Sequence, residues 1–479
     1  MNTQTPDEYD LIVLGSGEGG KYLAWTFARE GRHVAVVERG QLGGSCPNIA
    51  CLPSKNIIHS AKVASLLRRS DEFGLGRGSF TIDMSAVRER KRRMVRGLGD
   101  LHRRKFTESG AEVIPGDGRF TAPRTLEVLL PDGGRRLLRG TDVVIGTGSR
   151  AALKAIPGLA EAQPLTHIEA LELGEVPRHL LVIGAGYVGL ELAQAMRRFG
   201  SRVTVFDRGA AVLRREDHDV SQEMATLLAD EGIAVLLDAK IKRITGRSGT
   251  FVGIALDQEG GERIVDGTHL LVAAGRVPNT DNLGLELAGV ERTASGHIKV
   301  DEHLRTTAPG VWAVGDVTGN PQFTHVGFDD FRIVHSNIHG GDRTTKGRLV
   351  PFCLYTDPEL ARVGLNEREA ARRGISCRVF KVPMAAVMRT YPVAEKRGFL
   401  KALVGDDDRI LGFTAFGIHA GEVMSAVQLA MLAGAPYTVV RDAVLAHPTV
   451  TEGLIPLFSS AAAVSGSSAS GVAAGRGNA

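Results

Sequence analysis

The chain has little cysteine, no lopsided charge and no long apolar run, and each shortage removes a class of protein. Four cysteines among 479 residues are too few for a secreted scaffold held by disulfides, so an internal pair is expected to be catalytic and reversible. The 58 basic and 54 acidic residues leave a net charge of +4, too small to point to nucleic acid as a partner. No segment reaches the ~20 apolar residues needed to span a bilayer. The start, MNTQTPDEYD, is polar and acidic, with no apolar run of signal-peptide type behind it. The expectation is a cytoplasmic protein with no membrane or nucleic-acid partner. What is plentiful is apolar surface and glycine: 43% hydrophobic residues and 59 glycines, enough chain for three domains, each with its own core.

One local run is strongly basic, VRERKRRMVRGLGDLHRRKF from Val87 to Phe106. Val87, Met94, Leu98, Leu101 and Phe106 recur at roughly helical spacing, so the run reads as the solvated face of an amphipathic helix.

The glycines are patterned. An apolar strand, Leu11 to Leu14, leads into Gly15-Ser16-Gly17-Glu18-Gly19-Gly20 and a helix through Glu30, followed by Gly31, a strand from His33 to Val37 and Glu38. Gly15, Gly17 and Gly20 allow a tight strand-to-helix turn and close approach of a pyrophosphate to free amides, and an acid at Glu38 can accept from ribose hydroxyls. The unit returns with a constant offset (184 − 15 = 169): Leu180 to Ile183, then Gly184, Gly186 and Gly189, a helix to Phe199, Gly200, the strand Arg202 to Phe206, and Asp207. Two such units imply two different dinucleotides, with electrons passing between them.

The stretch from Gly43 to Lys55, GGSCPNIACLPSK, holds two of the cysteines. In an unbroken helix, Cys46 and Cys51 would lie about 7.5 Å apart along the axis, too far for a usual disulfide. If they pair, Cys46 must sit on a bend at the start of a helix that carries Cys51 inside it, an approach that Gly43, Gly44 and Pro47 suit. A thiol at a helix N-terminus is stabilised as thiolate, the form that attacks disulfides and binds soft metals. Two buried structural cysteines remain the plainer alternative. Zinc ligation fits poorly, because the spacing is long and no second ligand pair is near; no metal ligands are assigned.

GGxCxNxxCxPSK, flanked by two dinucleotide fingerprints, resembles the redox-active segment of the class I pyridine nucleotide-disulfide oxidoreductases, in the branch of dihydrolipoamide dehydrogenase and mercuric reductase. The resemblance runs nearly the whole chain. It implies an α/β protein with two Rossmann-like dinucleotide-binding domains plus an α+β dimerisation domain. Residues 1–150 and 275–346 would bind FAD, 151–274 NAD(P), and 347–458 would form the dimer interface; 459–479, rich in alanine, serine and glycine, reads as a disordered tail. Cys46 would be the interchange thiol that attacks the substrate, and Cys51 the thiol against the flavin. Lys55, one helical turn beyond Cys51, would sit near the flavin N5 and pair with Glu191. Gly44, Ser45, Gly118, Thr147, Ser149, Gly275 and Asp316 would complete the flavin site, with Thr324 at a position where relatives commonly carry alanine. HPTVTE, His447 to Glu452, resembles the family's acid/base pair: His447, supplied across a homodimer interface and oriented by Glu452, would exchange a proton with the interchange thiol.

The implied path runs from reduced nicotinamide to flavin, to a Cys46–Cys51 disulfide, and on to a small-molecule disulfide, or backwards from a dithiol. Asp207 favours the free ribose of NAD(H), with NADP(H) the alternative because Arg208 adjoins it. The chain has no terminal cysteine pair, which counts against a mercuric-reductase-like metal ion reductase. A non-catalytic flavoprotein component of a complex is the third reading. Cys353 and Cys377 read as packing residues.

Overall fold

Short runs of valine, isoleucine and leucine bounded by glycine form buried parallel strands here. The computed structural model describes residues 5–76, 78–258 and 261–465. It divides into two compact units, Met1–Val212 with Leu228–Arg348, and Leu213–Leu227 with Leu349–Ala479.

In the first unit, strands Glu112–Pro115, Val34–Glu38, Asp7–Leu14 and Arg135–Ile145 lie side by side, and Thr125–Leu129 and Asp117–Ala122 extend the sheet. Val311–Ala313 joins it in parallel with Arg135–Ile145. Alternate residues serve opposite faces: Ile12 and Leu14 pack with Phe120 and Leu285, while Leu11 and Val13 pack with Leu23, Phe27 and Ile333. The latter group comes from the helices Glu18–Arg29 and Thr324–Ile338. A second parallel sheet, in the order Ala234–Leu236, Arg202–Phe206, His179–Ile183 and His269–Val272, carries the second fingerprint. It shares a core with the antiparallel strands Ile241–Arg247 and Phe251–Gln258.

The second unit is built on an antiparallel sheet, Phe352–Leu354, Glu359–Gly364, Ile410–Gly417, Phe399–Val404 and Cys377–Pro383, with Ala463–Ser465 at its edge. The helix Ala420–Leu432 contributes Val423, Met424 and Val427 to its core. Residues 213–227, read from sequence as part of the nicotinamide domain, pack within this unit. Several ion pairs and hydrogen bonds hold them there: Lys401, fully buried in the sheet, bonds Asp217 (2.8 Å), Asp219 (2.9 Å) and Glu367 (2.8 Å), and Arg362 pairs with Glu216 at 2.9 Å.

Three local expectations are corrected. Cys51 opens a helix, Cys51–Arg68, rather than lying inside one, because the chain breaks after the short helix Ser45–Asn48. The basic helix, Met84–Ser109, starts where the Asp83 side chain accepts from the Ala86 amide at 2.9 Å and ends at Gly110, φ 81°. Such a cap is worth about 1 kcal/mol. Its basic residues are not all solvated: Lys91 is buried against Glu172, and His102 meets Lys21 at 3.2 Å. The expected tail begins too early, since the helix Leu454–Ser459 and the strand Ala463–Ser465 are ordered; residues 466–479 lie outside the described residues.

Candidate active site

Gly43 and Gly44 take positive φ values of 100° and 74°, which L side chains adopt only under strain. A Cβ on Gly44 would also lie 2.6 Å from the Gly17 Cα, so the cysteine loop rests directly on the first fingerprint. Asn48 fixes its shape, donating to the carbonyls of Leu42 (3.0 Å) and Gly44 (2.8 Å). Cys46 thus stands on the short helix, and Cys51 on the first turn of the long one, at its positive dipole end.

Both residues are half-buried thiols and interact directly. The Cys46 thiol donates to the Cys51 sulfur, which pushes Cys46 well above the usual thiol range, with burial adding to the effect. The same bond holds Cys51 down at about 6 against the opposing pull of burial. The Thr324 hydroxyl, 3.2 Å from the Cys51 sulfur, and the charge of Lys55 help. Lys55 Nζ bonds the buried Glu191 carboxylate at 2.7 Å. Cys46, Cys51, Lys55, Glu191 and Thr324 therefore converge in the first unit. The arrangement can hold one sulfur as a nucleophilic thiolate and the other as a thiol.

A cavity of about 850 Å³ adjoins this loop, lined by Gly15, Gly17, Glu38, Gly44, Ser45, Gly118, Thr147 and Ser149 among others. Two of its glycines leave no room for a side chain: a Cβ on Gly15 would reach the Gly146 carbonyl oxygen at 2.6 Å, and one on Gly118 the Leu14 side chain at 2.7 Å. Gly20 is buried beneath it, where a Cβ would meet the Gly15 carbonyl oxygen at 2.4 Å. Asp316 accepts from Ser149, whose oxygen also takes the Arg276 Nε–H at 2.8 Å. A glycine cradle closed by carboxylates and hydroxyls is the donor and acceptor set that a dinucleotide requires.

The two fingerprints repeat one clasp. The Ser16 amide donates to Glu38 Oε2 and the Gly40 amide to Glu38 Oε1, at 2.9 and 2.8 Å. The Ala185 and Gly209 amides donate to the two Asp207 oxygens, both at 2.9 Å. Gly184 and Gly189 are forced, since a Cβ would lie 2.5 Å from the Ala273 carbonyl oxygen and 2.0 Å from that of Gly184, whereas Gly186 has open space. Gly275, φ 125°, has open space as well. In the second unit, His447 Nδ1 lies 2.9 Å from Glu452 Oε2. A carboxylate only accepts, so Nδ1 carries the proton and Nε2 is left as a base; the ring is 68% exposed.

Sequence reading missed His167. It lines the same cavity, its Nε2 is buried without a hydrogen-bond partner, and burial, seconded by Arg276, pushes its pKa down to about 4. No spacing or motif marks it. Arg276 and Asn279 also line the cavity; the motif Gly275-Arg276-Val277-Pro278-Asn279 drew attention only to its glycine.

Family comparisons agree with this geometry. The model described as pyridine nucleotide-disulphide oxidoreductase matches residues 9–330, and its dimerisation domain matches 350–456. A probable pyridine nucleotide-disulfide oxidoreductase, RclA, of Escherichia coli (strain K12) is 34% identical over 460 residues, 95% of this chain and 99% of the relative. A mercuric reductase of Streptomyces lividans is 34% identical over 450 residues, 92% of this chain and 94% of the relative. The solved structure of a Cu(II) complex of the HOCl-induced flavoprotein disulfide reductase RclA from Escherichia coli superimposes with TM-score 0.86 at 33% identity, covering 95% of this chain and 99% of that one. Among the described residues, no helix is long and apolar enough to cross a membrane. The chain belongs to the class I pyridine nucleotide-disulfide oxidoreductases, and is an FAD-dependent enzyme that works with a pyridine nucleotide.

Proposed function

We propose that the protein is an NADH-preferring disulfide oxidoreductase whose Cys46–Cys51 pair exchanges an electron pair with a small-molecule disulfide or dithiol. The observation that carries this reading is the convergence of Cys46, Cys51, the Thr324 hydroxyl 3.2 Å from the Cys51 sulfur and the Lys55–Glu191 pair at 2.7 Å beside a glycine-lined cavity. Gly15, Gly17, Gly20, Glu38, Gly44, Ser45, Gly118, Thr147, Ser149 and Asp316 are the residues that would hold FAD, with Lys55 and Thr324 beside the thiols. FAD held there would supply two-electron redox chemistry between the nicotinamide and the Cys46–Cys51 pair.

The dithiol then does the rest. Cys46 must lose its proton to attack, and His447 of a second subunit takes it, oriented by Glu452. The Cys46 sulfur forms a mixed disulfide with one half of the substrate, and the other half leaves as a thiol with the proton from His447. The Cys51 thiolate attacks Cys46, closing the intramolecular disulfide and releasing the second half as a thiolate that takes its proton from water. One substrate disulfide becomes two thiols, and one enzyme dithiol becomes a disulfide. Glycines Gly184, Gly186 and Gly189 would admit the nicotinamide dinucleotide, Gly275 would mark the return to the flavin domain, and Asp207 would repel a 2′-phosphate.

The competing reading is reduction of a thiol-bound metal ion. A relative of equal identity is a mercuric reductase, a solved relative carries Cu(II), and adjacent thiols are soft ligands. Steady-state assays with NADH and NADPH against a panel of disulfides, Hg(II) and Cu(II) decide. Turnover of a disulfide with NADH, lost in Cys51→Ser, is expected; turnover of metal ions alone would overturn the disulfide reading.

A further inference from the structure

We propose that Glu30, His335 and His339 form a binding site for a borderline divalent cation, Zn(II) in the first instance, separate from the thiols and the nucleotide sites. Glu30 follows the last residue of the helix Glu18–Arg29. His335 lies in the last turn of the helix Thr324–Ile338, and His339 caps it. Four residues apart, the two rings share one helical face, with centroids 4.5 Å apart, and Phe27 stacks on His339 at 5.2 Å. Thr324, which touches Cys51, starts the same helix, so His339 lies roughly 22 Å further along the axis.

The contacts converge on one point. His335 Nε2 is 2.7 Å from Glu30 Oε1, and His339 Nε2 is 3.1 Å from Glu30 Oε2. His339 Nδ1 is 2.9 Å from the His335 carbonyl oxygen. A carbonyl only accepts, so the Nδ1–H donates to it and Nε2 is the atom turned toward the carboxylate. A cation held between these atoms would satisfy both rings and the carboxylate at once. Donation of the far ring nitrogen to a backbone carbonyl is the habit of metal-bound histidine. Among the described residues, no lysine or arginine pairs with Glu30.

The spacing agrees. The three ligand atoms all lie within 4.8 Å of one another, and bonds of about 2.0–2.2 Å to zinc put neighbouring ligand atoms roughly 3 Å apart. Two imidazoles and one carboxylate favour Zn(II), Cu(II) or Ni(II) over Mg(II) or Ca(II). Partial exposure of all three side chains leaves the remaining positions to water.

Zn(II) itself is the probe, in equilibrium dialysis of tag-free, FAD-loaded Cys46→Ser/Cys51→Ser protein, with bound metal counted by mass spectrometry. One more zinc per chain is expected than in the same protein carrying His335→Ala/His339→Ala, and roughly tenfold weaker binding in Glu30→Gln. Equal zinc content and affinity in all three proteins would overturn the site. Should the double histidine variant fail to fold, Glu30→Gln alone decides, because it keeps the shape of the side chain: unchanged zinc affinity refutes the proposal. Redox activity is not read, so the outcome is independent of the proposed function.

Discussion

At the scale of single residues, the proposed chemistry rests on two sulfur atoms in unlike surroundings. Cys51 has three helpers, the Cys46 thiol, the Thr324 hydroxyl and the Lys55 charge, and they outweigh burial. Its thiolate should persist above about pH 6 and disappear as pH falls through that value. Thr324→Ala removes one donor; a charged hydrogen bond is worth about 1.5–3 kcal/mol, or one to two pKa units. A pH titration of thiolate absorbance in the reduced variant should show a midpoint raised by that much. For His447→Gln, turnover with a disulfide should fall about 10²–10⁴-fold, with flavin content unchanged, in stopped-flow and steady-state assays. The cysteine motif was legible because its spacing is local. The Thr324 contact was not, because it joins positions 273 apart; the single hint was the family resemblance, which implies alanine as the common residue there. His167 gave no hint, since its importance comes from lying buried in a cavity that other segments make.

Elements show the same contrast. The repeated strand, turn, helix and acid was legible as an offset, and the clasp of amides around Glu38 and Asp207 is its physical counterpart. Gly44→Ala places a Cβ 2.6 Å from the Gly17 backbone at a positive φ. Purified protein should therefore lose most of its bound FAD, read as the ratio of visible to ultraviolet absorbance. The allegiance of residues 213–227 was illegible, because it rests on contacts between distant positions, such as that of buried Lys401 with an aspartate 184 positions away. Lys401→Met would strand Asp217, Asp219 and Glu367 together, costing about 3 kcal/mol and lowering the calorimetric transition of the second unit. Burial alone would raise the Asp219 carboxyl, but Lys381 and Lys401 outweigh it and hold it below the usual range. A depressed folded-state pKa adds stability above the unfolded value near 4 and loses it as pH falls through the folded one. The Lys401→Met transition should therefore be less sensitive to acid than that of the wild type.

For the molecule as a whole, the proposed reaction needs two chains, since it assigns His447 to the thiol of a neighbouring subunit. Cys46→Ser and His447→Gln are each expected to be nearly inactive. In a mixed dimer of the two, one site unites an intact Cys46 with an intact His447 only if the histidine crosses the interface. Co-expression with two affinity tags should yield a heterodimer with up to about half the wild-type turnover; an inactive heterodimer would put thiol and base in the same chain.

The most direct measurement of the central claim is anaerobic reduction of the purified yellow protein with one equivalent of NADH. A long-wavelength band from the Cys51 thiolate against the flavin is predicted, absent in Cys51→Ser and fading in acid near pH 6. Direct bleaching of the flavin in the wild type, with no such band at any pH, would contradict it.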